Sequence, residues 1–184
     1  MKNLHRFTAC AALASAALLL GPAPGVDALR NPLAPPQSAS SSTGTTTTQV
    51  AGGWQGTPPV VPLSANPDGT FTAVGDYTLN GTLVGTMTFE MSGRFDPATG
   101  NWDANSVDVF RGVYLGDNSQ GTLTWKVHTW GNFITGANWA EVEIVGGSGD
   151  PTFQCSSGRI TWDGFANPAA SFGGYSGTWV HGCP

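Results

Sequence analysis

The chain has 184 residues, room for one domain of ordinary size. Only 10% of them are charged, and the formal net charge is −5 with no basic cluster, which makes nucleic acid or an anionic membrane surface an unsuitable partner. Twenty-six glycines outside any repeat imply many turns, and seven tryptophans require a core or a cavity to cover them.

The chain opens like a targeting segment. Lys2 and Arg6 give a basic start, Ala9 to Leu20 is a run of small and apolar residues, and Gly21-Pro22 breaks any helix. Val26-Asp27-Ala28 puts small residues where a signal peptidase reads, so residues 1–28 are expected to be a signal peptide cleaved after Ala28. The apolar run is too short for a mature transmembrane helix, and no second run follows. Cys10 stands at the start of that run rather than after it, which argues against a lipid anchor. The mature product is expected to be exported, either extracellular or associated with the cell envelope.

Removing residues 1–28 leaves Cys155 and Cys183. Two cysteines in an exported chain usually pair, and closing a loop of that length is worth about 3.5 kcal/mol in lost chain entropy. Metal binding by His181 and Cys183 is the weaker alternative, because only His128 and scattered carboxylates could complete the site. No metal and no cofactor is therefore expected.

From Leu29 to Asp68 there is no periodicity. Pro32, Pro35 and Pro36 lead into a Ser/Thr/Gly/Ala tract from Ser38 to Thr48, a composition that buries too little apolar surface to offset the entropy of ordering. Residues 29–68 read as a disordered linker and 69–184 as the folded domain. Trp54 is the exception, either tucked against that domain or solvated.

From Thr70 onward the period is two. Phe71 to Leu79 meets Asn80-Gly81, a strong hairpin signal. In the next strand Met87, Phe89, Met91 and Phe95 face one way, and Asp96 to Gly100 turns the chain. The strand from Trp102 to Leu115 has two usable faces. Trp102, Ala104, Ser106, Asp108, Phe110 and Tyr114 share one; Val107, Val109, Arg111, Val113 and Leu115 share the other. Leu123, Trp125 and Val127 alternate with Thr122, Thr124 and Lys126, and Ala140, Val142 and Ile144 oppose Glu141 and Glu143. Gly146 to Gly149 then reads as a strand-breaking loop, before strands Gly158 to Asp163 and Tyr175 to His181. Seven to eight short antiparallel strands predict an all-β sandwich or up-and-down barrel. Met87, Phe89, Met91, Leu123, Trp125, Val127, Ala140, Val142, Ile144, Ile160 and Trp162 are the expected core.

Val109 to Gly116, Gly121-Thr-Leu-Thr-Trp125, Ile144 to Gly149, Gly158-Arg-Ile-Thr-Trp162 and Gly174 to Trp179 together resemble the allene oxide cyclase-like barrel, and most closely its small secreted bacterial members of unknown function. The resemblance covers Thr70 to His181 and implies a single eight-stranded antiparallel barrel with an apolar interior. It also implies a cavity. Plant cyclases of this shape use a glutamate and a held water, whose positions have no match here. Dirigent-like relatives use aspartates and an arginine in the cavity; Asp108 and Arg111 are those residue types, but on opposite faces of one strand.

Other candidates have simpler explanations. Ser148 lacks the glycine two residues on that a nucleophile elbow needs. Glu141 and Glu143 point in parallel, unlike a glycosidase pair, and fit a solvated outer face. His128 alternates with Lys126 on the outside, and His181 falls at the barrel rim. Whichever of Asp108 and Arg111 points inward becomes a buried charge and hence a functional pointer. The expected ligand-binding residues are Asp108, Arg111, Trp125 and Trp162. Three functions stay open: interior binding of an apolar or aromatic small molecule, a cyclase or isomerase acting on a lipid- or polyketide-like substrate, or a filled structural barrel with an external interaction surface.

Overall fold

The computed structural model describes residues 44–56, 64–167 and 170–184. The expected signal peptide, and the linker before residue 44, lie outside the described residues. The strands are β1 (Thr46–Gly56), β2 (Ser64–Ala65), β3 (Thr70–Gly81), β4 (Leu83–Phe95), β5 (Asn101–Tyr114), β6 (Ser119–Asn132), β7 (Ala137–Gly149), β8 (Ser157–Asn167) and β9 (Ala170–His181), with one 3-10 turn at Pro151–Phe153. Each strand from β3 to β9 pairs antiparallel with the next. Closure comes from β1, which pairs with β9 along Thr46 to Gln55 and with β3 along Gly52 to Gly56. The result is a closed eight-stranded antiparallel barrel, with β2 as a short addition beside the start of β3. Closure removes the free edges that an open sheet would present.

This corrects the expected linker boundary. Thr46–Gly56 is not linker but the strand that completes the barrel, and the folded domain starts well before residue 69. Within β1 the inward positions are Thr48, Val50, Gly52, Trp54 and Gly56. Only two of these are large and apolar, too few to make a hydrophobic period visible, although threonine suits a pleated strand. Trp54 is buried, and its indole N–H donates to the Gly174 carbonyl at 3.2 Å. Asn80 helps to hold β1, its Oδ1 accepting from the Gly53 N–H at 3.0 Å.

The expected break at Gly146 is also corrected. β7 runs through it to Gly149, and the register with β6 shifts between Thr124 and Trp125, which leaves Val145 as the extra residue of a bulge. The glycines have another use. A Cβ on Gly147 would lie 2.1 Å from the Phe153 carbonyl oxygen, so a bare backbone lets the 3-10 turn fold over the barrel end. Phe153 is fully buried there, 5.3 Å from Trp179, whose indole N–H donates to Ser156 Oγ at 3.0 Å. Cys155 and Cys183 are disulfide-bonded, with their Cα atoms 5.2 Å apart, and tie this plug to the C-terminus.

The expected core is inside. Met87, Leu123, Trp125, Val127, Ala140, Val142, Ile144, Ile160 and Trp162 belong to one buried cluster, and Phe89 is buried beside Tyr77. Met91 is half-buried and packs instead against a second, smaller cluster of Phe71, Trp102 and Ala104 at the other end. Among the described residues no helix is long and apolar enough to cross a membrane.

Candidate ligand site in the barrel interior

The strand Asn101–Tyr114 settles which of its faces points inward. Trp102, Ala104, Asp108 and Phe110 are buried, while Arg111 is exposed on the outer wall. Arg111 therefore has no place in an interior site, because a side chain three residues from Asp108 on one strand must leave by the other face. Of the four expected ligand-binding residues, Asp108, Trp125 and Trp162 are brought together inside and Arg111 is not.

Asp108 is only 2% exposed. It pairs across the sheet with Trp125, and the continuing β4–β5 register sets Phe89 on its other side. Burial pushes its carboxyl up to about 7, with the Ser106 hydroxyl offsetting part of the rise. Its Oδ1 has no hydrogen-bond partner, and neither do the buried indole nitrogens of Trp125 and Trp162. An unpaired buried polar atom costs roughly 1–3 kcal/mol. Trp102 Nε1 and Ser171 Oγ lack a partner as well, so unmatched polar atoms extend from the level of Asp108 toward the unplugged end.

The surrounding rings are in mutual contact. Trp125 meets Trp162 edge-on at 5.8 Å and stacks on Phe110 at 5.9 Å. Trp162 stacks on Trp54 at 5.5 Å and meets Tyr77 at 5.8 Å, and Tyr77 stacks on Phe89 at 4.8 Å. Tyr77 and Trp54 are site residues that the sequence reading missed. Burial first, and then the Asp108 charge, push the Tyr77 phenol well above its usual range, with the nearby Ser171 hydroxyl offsetting a part. Ser171 Oγ is itself buried without a hydrogen bond of good geometry. Tyr77 is in phase with the inward Phe71 and Ala73, but the exposed Val74 breaks the hydrophobic alternation between them.

The rings sit in this way because glycines face them. A Cβ on Gly75 would lie 2.8 Å from the Phe89 ring, and one on Gly173 would lie 2.8 Å from the Trp54 ring. In the half of the interior away from the plug, small or polar inward residues (Ala73, Gly75, Ala104, Ser106, Thr129, Asn138 and Ser171) stand among the larger Phe71, Phe89, Met91 and Trp102. Thr129 and Asn138 satisfy each other, with Oγ1 donating to Oδ1 at 3.2 Å. Tyr77 and Ser106 point inward yet stay half-buried rather than buried.

Glu141 and Glu143 are exposed on the outer wall, as is His128, which pairs with Asp103 at 2.8 Å. Ser148 is an exposed residue at the end of β7. His181 is buried against Trp179 at a ring distance of 4.3 Å and bonds Thr48 Oγ1 at 2.8 Å, so it belongs to the plugged end's packing. Burial lowers its pKa. Among the described residues no group of three or more His, Cys, Asp or Glu is placed to hold a metal ion. No family model matches the chain, and no curated protein is significantly similar to it.

Proposed function

We propose that this is an exported barrel of the allene oxide cyclase-like kind, which binds one small aromatic or otherwise apolar molecule with a polar group in the unplugged half of its interior. The observation that carries this reading is the Asp108 carboxyl, whose Oδ1 is buried without a partner among the unpartnered N–H groups of Trp125 and Trp162. A ligand with one hydroxyl or carbonyl in an apolar frame would satisfy these atoms while its body stacks on Trp54, Tyr77 and Trp162. An eight-stranded barrel has width either for side chains to fill it or for one such molecule. With its pKa near 7, Asp108 is protonated in a large fraction of molecules at neutral pH, and in that form it donates as well as accepts.

The test is a titration of the mature protein with an apolar fluorescent probe, read by quenching of its tryptophans. The reading expects saturable binding of one probe per chain, weakened about tenfold or more by Asp108→Asn or Trp162→Ala. Absence of binding, or binding indifferent to both changes, would reject it.

The same carboxyl favours a second reading, in which Asp108 serves as the acid or base of a cyclisation or isomerisation of a lipid- or polyketide-like substrate. A group titrating near 7 suits proton transfer at neutral pH. Substrate turnover that disappears in Asp108→Asn, with binding kept, would establish it.

A further inference from the structure

We propose that the interior ligand is an uncharged, elongated molecule with acceptor oxygens toward both of its ends, and that Trp102 holds the outer one. This rests on the interior-ligand reading above and names the chemistry of that ligand.

Trp102 lies on the inward face of β5, six residues before Asp108. At roughly 3.3 Å for each residue, on a strand tilted by about 40°, its Cα stands about 15 Å from that of Asp108 along the barrel axis. The residue is 7% exposed, and its Nε1 is buried without a partner. Packing fixes where the ring sits. It stacks on Phe133 at 5.5 Å, and it lies across the sheet from Gly131, where a Cβ would come within 2.9 Å of the indole. Ser171 Oγ is a further unmatched atom, on a residue 2% exposed. The unmatched atoms therefore occupy a length of the interior rather than one point.

Their chemistry chooses the ligand. An indole N–H donates and never accepts, so Trp102, Trp125 and Trp162 require acceptor atoms on whatever lies beside them. One polar group beside Asp108 does not reach Trp102, so the acceptors must stand apart on an extended body. Charge of either sign fits poorly. The four basic side chains described, Arg94, Arg111, Lys126 and Arg159, are all exposed. An anion would lie beside Asp108 with no cation to neutralise it. A cation could pair with Asp108 but would leave the three N–H groups unmatched. Ketone, ester or lactone oxygens on an apolar chain or fused-ring body meet each requirement.

The test is a calorimetric titration of the purified protein with four probes built on one fourteen-carbon chain. They carry a methyl ketone at both ends, a methyl ketone at one end, a terminal carboxylate, or a terminal ammonium. The diketone should bind at least tenfold more tightly than the monoketone, and both more tightly than either charged probe. Trp102→Phe keeps a ring and removes the N–H. It should abolish the diketone's advantage and leave the monoketone's affinity unchanged. The unaltered protein supplies a second readout. On adding the diketone, the indole N–H proton resonances of Trp102, Trp125 and Trp162 should move downfield. Those of Trp54 and Trp179, already bonded to Gly174 and Ser156, should stay nearly unchanged. If Trp102→Phe fails to fold, the resonances alone decide. Equal affinity of diketone and monoketone, an advantage that survives Trp102→Phe, tighter binding of a charged probe, or a stationary Trp102 resonance would each overturn the proposal and leave interior binding standing. Binding of none of the four would overturn it too; if the apolar fluorescent probe also fails to bind, the interior-ligand reading falls with it.

Discussion

The two halves of the barrel interior follow one alternation of side chains but differ in how they fill it: one holds a single large apolar cluster, the other a small aromatic cluster set among small and polar residues. Toward the plug, the inward positions of successive strands are Leu79, Leu83, Phe110, Leu123, Ile144, Ile160 and Trp179, all buried in one cluster. Away from it, the same strands turn inward the large residues Phe71, Phe89, Met91 and Trp102 together with Ala73, Gly75, Ala104, Ser106, Thr129, Asn138 and Ser171. The polar groups of the plugged half are matched. Tyr175 OH donates to the Leu83 carbonyl at 3.2 Å and accepts from its N–H at 3.0 Å, and Trp179 bonds Ser156. The boundary with the other half is where Asp108, Trp125 and Trp162 keep unmatched atoms. The plugged half thus has its buried polar groups matched, and the rest of the interior does not.

Truncation tests that contrast most strongly. Trp179→Ala removes a fully buried ring from the plugged half and should lower stability by about 3–5 kcal/mol in denaturant unfolding. Trp162→Ala should cost distinctly less, about 1–3 kcal/mol, because it also removes an indole N–H that is buried without a partner. Equal costs would erase the difference between the halves.

The Asp108 carboxyl gives the next effect. Its pKa rises from 3.8 in the unfolded chain to about 7 in the folded one, so folding favours its protonated form. Stability is then full below pH 4, falls as pH rises from about 4 to 7, and is level above that. The loss is of order 4 kcal/mol, at about 1.4 kcal/mol for each tenfold change in proton affinity. Asp108→Asn should flatten this part of the pH profile of unfolding. A profile identical to that of the wild type would mean that the carboxyl is solvated.

Removing the disulfide with Cys155→Ser and Cys183→Ser should lower stability by about 3.5 kcal/mol through unfolded-chain entropy. The change should loosen the plug first, seen as faster hydrogen exchange near Phe153 than at Asp108. Arg111→Ala, on the outer wall, should stay within about 0.5 kcal/mol of the wild type and leave probe binding unchanged.

Much of the barrel was legible because alternation with period two survives in β4, β6, β7 and β8, where Met87 to Phe89, Leu123 to Val127, Ala140 to Ile144 and Ile160 to Trp162 mark the inward face. The closing strand was not, since Thr46–Gly56 carries only Val50 and Trp54 as large apolar residues, and its order depends on partners more than a hundred residues away in β9. Gly146 to Gly149 read as a loop because a bulge and a close-packed Phe153 make the same demand for glycine that a turn does. The face of β5 was undecidable from sequence, as both Phe110 and Val109 offer an apolar side. Only the pairing of Asp108 with Trp125 across the sheet decides between Asp108 and Arg111. Tyr77 and Ser171 could be recognised as site residues only after closure placed β3 and β9 around the same interior.

The central claim is that the half of the interior holding Asp108 is occupied by a small molecule in the working protein. Native mass spectrometry of the protein purified from its own source tests it most directly. The account predicts a mass above that of the bare polypeptide by one small molecule, released on acid unfolding and missing from Asp108→Asn expressed in the same source. A mass equal to the bare chain under gentle conditions, for wild type and variant alike, would contradict it.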